Sequence, residues 1–135
     1  MTRIGIPQGL LYYEYGKLWE DFFRNLGLTV VLSGQTAQAT MDYSSGLDEL
    51  CLPAKVFIGH CIALREQADF LFVPRVVSMS RGQYMCPQMI AMPDLLRANS
   101  AQLPPIIDLE INFRQGLQQW LKALSAISRY SGKSF

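Results

Sequence analysis

The sequence predicts an α/β domain: a mostly parallel, four-stranded sheet covered by helices on both faces, three layers in all. Three observations carry this. Short apolar runs near Ile4, Leu28, Phe70 and Ile106 alternate with segments of helical period. The first strand, helix and second strand fit within about thirty residues, the size of a βαβ unit. Phe70-Leu71-Phe72-Val73 is nearly all apolar, as a strand buried on both faces should be. With 135 residues, 50% of them hydrophobic, and no internal repeat or long linker, the chain reads as a single domain over 1–135.

The first run, Arg3 to Pro7, is a strand closed by Pro7 and Gly9. Tyr15, Leu18, Trp19, Phe22, Phe23 and Leu26 then recur at helical spacing, and Gly27 stands where a helix ends. Leu28 to Leu32 is the second strand. Ser33 to Leu50 is polar, with a weak helix or loop over 37–45. From Pro53 the helical period returns, placing Val56, Phe57, His60, Cys61 and Leu64 on one stripe. Phe70 to Pro74 is the third strand, and Arg75 to Tyr84 reads as a loop. Cys86-Pro87 opens a helical segment to about Asn99 that Pro93 kinks or splits. Ile106 to Ile111 is the fourth strand. Phe113, Leu117, Trp120, Leu121, Leu124 and Ile127 form the strongest amphipathic stripe, ending near Gly132. Right-handed crossovers favour a strand order of 2-1-3-4.

Composition narrows the function. Twelve basic residues, scattered and balanced by eleven acidic ones, give a net charge of +1 and little support for a nucleic-acid surface. No apolar run approaches the roughly 18 residues of a membrane span, and no charged segment precedes an apolar stretch at the start. Three cysteines without an export signal read as thiols of a cytoplasmic protein, not as a disulfide framework.

In such a sheet, ligands meet the carboxyl ends of the strands. The Gly5-Ile6-Pro7-Gln8-Gly9 turn has small residues that suit a phosphate, but it lacks the full G-x-G-x-x-G and any P-loop Lys, so ordinary turn glycines explain it better. The cysteines say more. Cys51 precedes Leu52-Pro53 and Cys86 precedes Pro87; proline favours the first helical turn, which puts both thiols at helix starts. There the helix dipole favours a thiolate, a nucleophile or metal ligand. The competing reading is a small buried hydrophobe. Cys61 lies two to three turns further on, roughly 12–15 Å along the axis, too far to share zinc bonds of about 2.3 Å. It reads as a packed core thiol, and a Cys3His zinc site falls with it. His60, the one histidine, shares the apolar stripe and reads as a hydrogen-bonded structural residue. Any Ser-His or Cys-His pair depends on it, and the sequence marks no partner. Asp48 and Glu49 suit a helix start. Lys55 does not, which points to an anionic partner such as Glu49 or a ligand. Arg75, just past the third strand, is placed to meet an anion, although a solvated side chain is the commoner outcome. The methionines near Met89 read as adaptable packing.

Arg3-Ile-Gly-Ile-Pro-Gln-Gly-Leu-Leu-Tyr-Tyr-Glu-Tyr, Glu49-Leu-Cys51-Leu-Pro53-Ala-Lys55-Val-Phe-Ile-Gly59-His60, Pro74-Arg75 and Tyr84-Met-Cys86-Pro87 follow in order. Together, over roughly residues 3–95, they resemble the activase-related proteins of the 2-hydroxyacyl-CoA dehydratase system, a family of anaerobic metabolism. The resemblance implies a Rossmann-like domain whose Cys51 and Cys86 ligate an iron–sulfur cluster, with Glu49, Lys55 and His60 as surrounding motif residues. It implies activase or dehydratase subunits as partners and a role in electron transfer or acyl-CoA dehydration. A four-iron cluster takes three or four thiolates, and this chain offers two well-placed ones. Further ligands would then come from a missing C-terminal half, another chain, or a second copy. The alternative is a non-catalytic scaffold or interaction domain that has lost, or shares, an incomplete cluster site. A third reading is an anion- or nucleotide-binding domain that uses Gly5 to Gly9 and Arg75.

Overall fold

The computed structural model describes residues 2–78, 82–99 and 102–112, with 121, 122 and 125. The expected amphipathic stripe of 113–127 lies outside these, apart from Leu121, Lys122 and Ser125, which are helical; Leu121 is exposed.

The elements run β1 (Arg3–Ile6), α1 (Tyr12–Asn25), β2 (Thr29–Leu32), α2 (Gln38–Asp42), α3 (Leu52–Ala63), β3 (Phe70–Phe72), β4 (Arg75–Ser78), α4 (Pro87–Ile90), α5 (Met92–Asn99), β5 (Ile106–Ile107) and β6 (Glu110–Asn112). β2-β1-β3-β5 form a four-stranded sheet whose every pairing is parallel. This is the expected α/β architecture, with β5 as the fourth strand.

Side chains alternate across the sheet and sort into two cores. Ile4, Ile6, Phe72 and Ile107 face α1, where Trp19, Phe22, Phe23 and Leu26 meet them. Leu71, Val73, Val31 and Ile106 face α3 and α5 through Phe57, Ile58, Cys61, Leu64, Met92 and Leu96. Phe72 sits edge-on between the rings of Trp19 and Phe23, at 5.2 and 4.9 Å. Leu18, which the spacing placed on the inner stripe, is exposed. α1 ends as a Schellman turn: Gly27 adopts φ +83°, its N–H donates to Arg24 O, and that of Leu28 donates to Phe23 O.

Two expectations need correction. Arg75 to Ser78, read as loop, is strand β4, and the fourth strand is broken into β5 and β6. The cause is an interruption shared by two neighbouring strands, at 73–74 and 108–109. Leu71 pairs with Ile106 and Arg75 with Glu110 in one unbroken register, and Val73 N–H to Ile107 O and Arg75 N–H to Leu109 O carry the ladder past Pro74. Proline 74 donates nothing to the ladder, which is why its ring marked the strand's end in the sequence. The second correction concerns α3, which is buried around most of its surface, at Ala54, Phe57, Ile58, Gly59, His60 and Cys61. A one-sided stripe was the expectation. The reason is α2, which covers the outer side; a Cβ on Gly59 would collide with the Thr40 carbonyl.

Candidate functional site

Cys51 and Cys86 are the N-cap residues of α3 and α4. Both have extended backbones, φ −65°, ψ 158° and φ −64°, ψ 152°, with a proline in the first turn that follows. Each carbonyl accepts the first helical hydrogen bonds: Cys51 O from Lys55 N–H, and Cys86 O from Met89 and Ile90 N–H. The side chain of Gln88, in the first turn of α4, reaches back so that its Oε1 accepts the Cys51 backbone N–H at 3.1 Å. One glutamine thus ties the two cysteine-bearing caps together, although 35 residues separate them in sequence. Both thiols are exposed. Leu52 and Tyr84 flank them with 62% and 61% of their surfaces open to solvent. Cys61 is fully buried in the core, as expected, and burial pushes its thiol pKa well up.

His60 is fully buried as well and sits in a cluster that the sequence did not mark. Its Nδ1 lies 2.7 Å from Ser33 Oγ and its Nε2 2.8 Å from Thr36 Oγ1, both in the segment after β2. Ser33 Oγ also accepts the Gln8 backbone N–H at 2.9 Å, and Gly34 N–H donates to the Gln8 side-chain carbonyl. From Gln8 the chain of bonds continues to Tyr12 OH and on to the Glu20 carboxylate. Burial holds the His60 pKa below its ordinary value of 6.5, so the ring is neutral at pH 7. Helix α3 therefore presents Cys51 at its start and His60 two and a half turns on, roughly 13 Å along the axis.

The other residues singled out in the sequence have the following contacts. Lys55 pairs with Asp48 at 3.7 Å, not with Glu49, which is exposed. Arg75 is committed within the fold: it donates to Ile90 O at 3.0 Å and to both Asp94 oxygens at 2.8 and 3.0 Å, with Asp108 at 3.8 Å. The Asp94 hydrogen bonds raise the Arg75 pKa, and the same contact lowers that of Asp94. Arg97 closes the group on Asp94 and Asp108. The Gly5 to Gly9 turn serves packing: a Cβ on Gly5 would crowd Ala68 and Leu71, and one on Gly9 would press on Phe57.

At the crevice between β1 and β3 lies a small apolar cavity of about 20 Å³, room for about one water. Ile6, Trp19, Phe57, Phe72, Met89 and Met92 are among its walls. Leu10, also in its wall, holds φ +52°, a conformation that β- and γ-branched residues rarely adopt. Among the described residues, no group of three or more His, Cys, Asp or Glu is placed to hold a metal ion. None of the described helices is long and apolar enough to cross a membrane.

The Cys-x-Pro and Cys-Pro signals were local and so could be read from the sequence. The partners of His60 lie 24 to 27 residues away across a strand crossover, and only the polar Ser33-Gly34-Gln35-Thr36 stretch at a strand end hinted at them. A family model described as a CoA enzyme activase uncharacterised domain matches residues 3–134. No curated protein and no solved structure matches the chain.

Proposed function

The chain belongs to the CoA enzyme activase uncharacterised domain family, and from that membership we propose that it supplies half of an iron–sulfur site serving electron transfer or acyl-CoA dehydration. The observation that carries this is the Gln88 bond to Cys51, which holds two solvent-facing thiols at neighbouring helix starts. The donor set fits a cluster in part. Thiolates are the right ligand chemistry, but two fall short of the three or four that a four-iron cluster takes. The rest would come from an activase or dehydratase subunit, from further polypeptide, or from a second copy of the chain. When bound, such a cluster passes single electrons. The chain's own contribution is to present Cys51 and Cys86 on rigid caps.

Exposed Leu52 and Tyr84 beside the thiols favour a second reading, an interaction domain whose face is covered by a partner without a cluster. Iron and acid-labile sulfide, measured after anaerobic purification and reconstitution of the chain together with an activase or dehydratase subunit, separate the two. The first reading expects both in the wild type and neither in Cys51→Ser or Cys86→Ser. No iron in the reconstituted wild type overturns cluster binding by this chain and leaves the interaction domain.

A further inference from the structure

We propose that Ser33 is a nucleophile activated by His60, forming an acyl-transfer site for ester-type substrates that is separate from the cysteine pair. The argument begins with proton accounting. Ser33 Oγ accepts from Gln8 N–H, so its own hydrogen is free to point elsewhere. His60 Nδ1, at 2.7 Å, is the acceptor in reach. The ring then carries its proton on Nε2 and donates it to Thr36 Oγ1 at 2.8 Å. Thr36 is exposed, so its hydroxyl hydrogen can go to water. The opposite tautomer would send the hydrogen of the half-buried Ser33 to solvent in place of that of the exposed Thr36, so the favoured arrangement is the one that leaves the more exposed hydroxyl to water. Burial keeps the ring unprotonated and therefore able to act as a base.

The surroundings of Ser33 are those of a reactive oxygen. It follows β2 at the carboxyl edge of a parallel sheet, where this class of fold binds ligands. The N–H of the next residue, Gly34, is the donor that in serine acyl-transfer sites holds the developing oxyanion. Here that N–H is bonded to a carbonyl-type oxygen, Gln8 Oε1, so an acyl oxygen would have to displace the Gln8 side chain to reach it. Gly34 has φ +83°, and nothing lies within 4 Å of where its Cβ would be, so that side is open to an approaching acyl group. A nucleophile, a base within hydrogen-bond reach, a group orienting the base and an oxyanion donor are recognised by geometry, not by sequence order. The orienting group here is a hydroxyl where a carboxylate would bind an imidazolium more strongly, so the site is a slow one.

The step balances without a cofactor. Ser33 Oγ attacks the acyl carbon and its proton passes to His60 Nδ1. The C–O bond to the leaving group breaks, and His60 returns the proton to the departing oxygen. Water then attacks the acyl-serine by the same route and releases the acid.

The test is p-nitrophenyl acetate on the whole chain, following p-nitrophenolate release and mapping acetyl groups by peptide mass. The expected result is release above background together with an acetyl on Ser33. With the exposed Cys51 and Cys86 thiols blocked by alkylation beforehand, Ser33→Ala should abolish the Ser33 acetyl and bring release down to background, and His60→Gln should slow release on the order of 100-fold. Thr36→Val should slow it several-fold, with Thr36→Ser restoring it, which loss of packing alone would not do. If His60→Gln fails to fold, Ser33→Ala and the Thr36 pair still decide. Release from folded wild type no faster than from Ser33→Ala, with no acetyl on Ser33, overturns the proposal. Equal acetylation of Ser33 in folded His60→Gln overturns it too.

Discussion

The two chemically notable regions of this domain differ in where their partners are. At the Cys51 and Cys86 caps the reactive atoms face solvent, and inside the chain only the backbone is engaged, through Gln88. Around His60 the reverse holds: both ring nitrogens are bonded, the ring is buried, and the bonds run on to Gln8 and Tyr12. The first region is built for something outside the chain. The second is complete in itself, so it contributes to folding whether or not it does chemistry. Perturbing the enclosed region should therefore move stability, and perturbing the open one should move binding.

The largest effect is expected at the lid over the enclosed region. Gly59 lies one residue before His60, and a Cβ there would overlap the Thr40 carbonyl of α2. A backbone group cannot swing aside as a side chain can, so Gly59→Ala should cost about 3 kcal/mol or more. Urea unfolding checks this, and a loss below about 1 kcal/mol would mean that α2 is not packed as described.

Next comes pH. The His60 pKa is lower in the folded chain than its ordinary 6.5, so between the two values the unfolded chain binds more protons. Stability should be full above about pH 6.5 and should fall as the pH drops from there to the folded pKa. Asp69 and Asp94, held below 3.8 by hydrogen bonds from Arg3 and Arg75, lose their contribution only in a lower window. Unfolding curves between pH 5 and 8 should therefore slope in the wild type and flatten in His60→Gln. Equal slopes would place the titration elsewhere.

The smallest effect belongs to the open region. Gln88→Ala removes one exposed hydrogen bond and should cost about 0.5 kcal/mol globally. It should, however, speed hydrogen exchange at the Cys51 amide well beyond its neighbours. An unchanged Cys51 amide would show that the two caps are not held by this contact.

The contrast also explains what could be read from the sequence. The strands, their order and the helix starts at Cys51 and Cys86 rest on short-range signals: apolar runs, Gly27, and prolines after cysteines. Arg75 was placed correctly past β3, yet its partners Asp94 and Asp108 lie 19 and 33 residues on, and no local pattern announces them. β4 is not legible in the sequence because Pro74 mimics a strand's end, while the partner strand is interrupted at the matching positions and continues in the same register. The sequence marks His60 as hydrogen-bonded, but Ser33 and Thr36 become its partners only because the β2–β3 crossover brings α3 back against the segment after β2.

Cys61 has a use beyond packing. Its thiol is sealed in the α3 core with a raised pKa, whereas Cys51 and Cys86 are accessible. A mild alkylating reagent should modify the two accessible thiols at once and leave the third until the core parts. The rate of that third modification is then a built-in clock of native-state opening. It can be read by mass without a dye or tag, and in the fast-reclosing limit it reports the free energy of exposing α3.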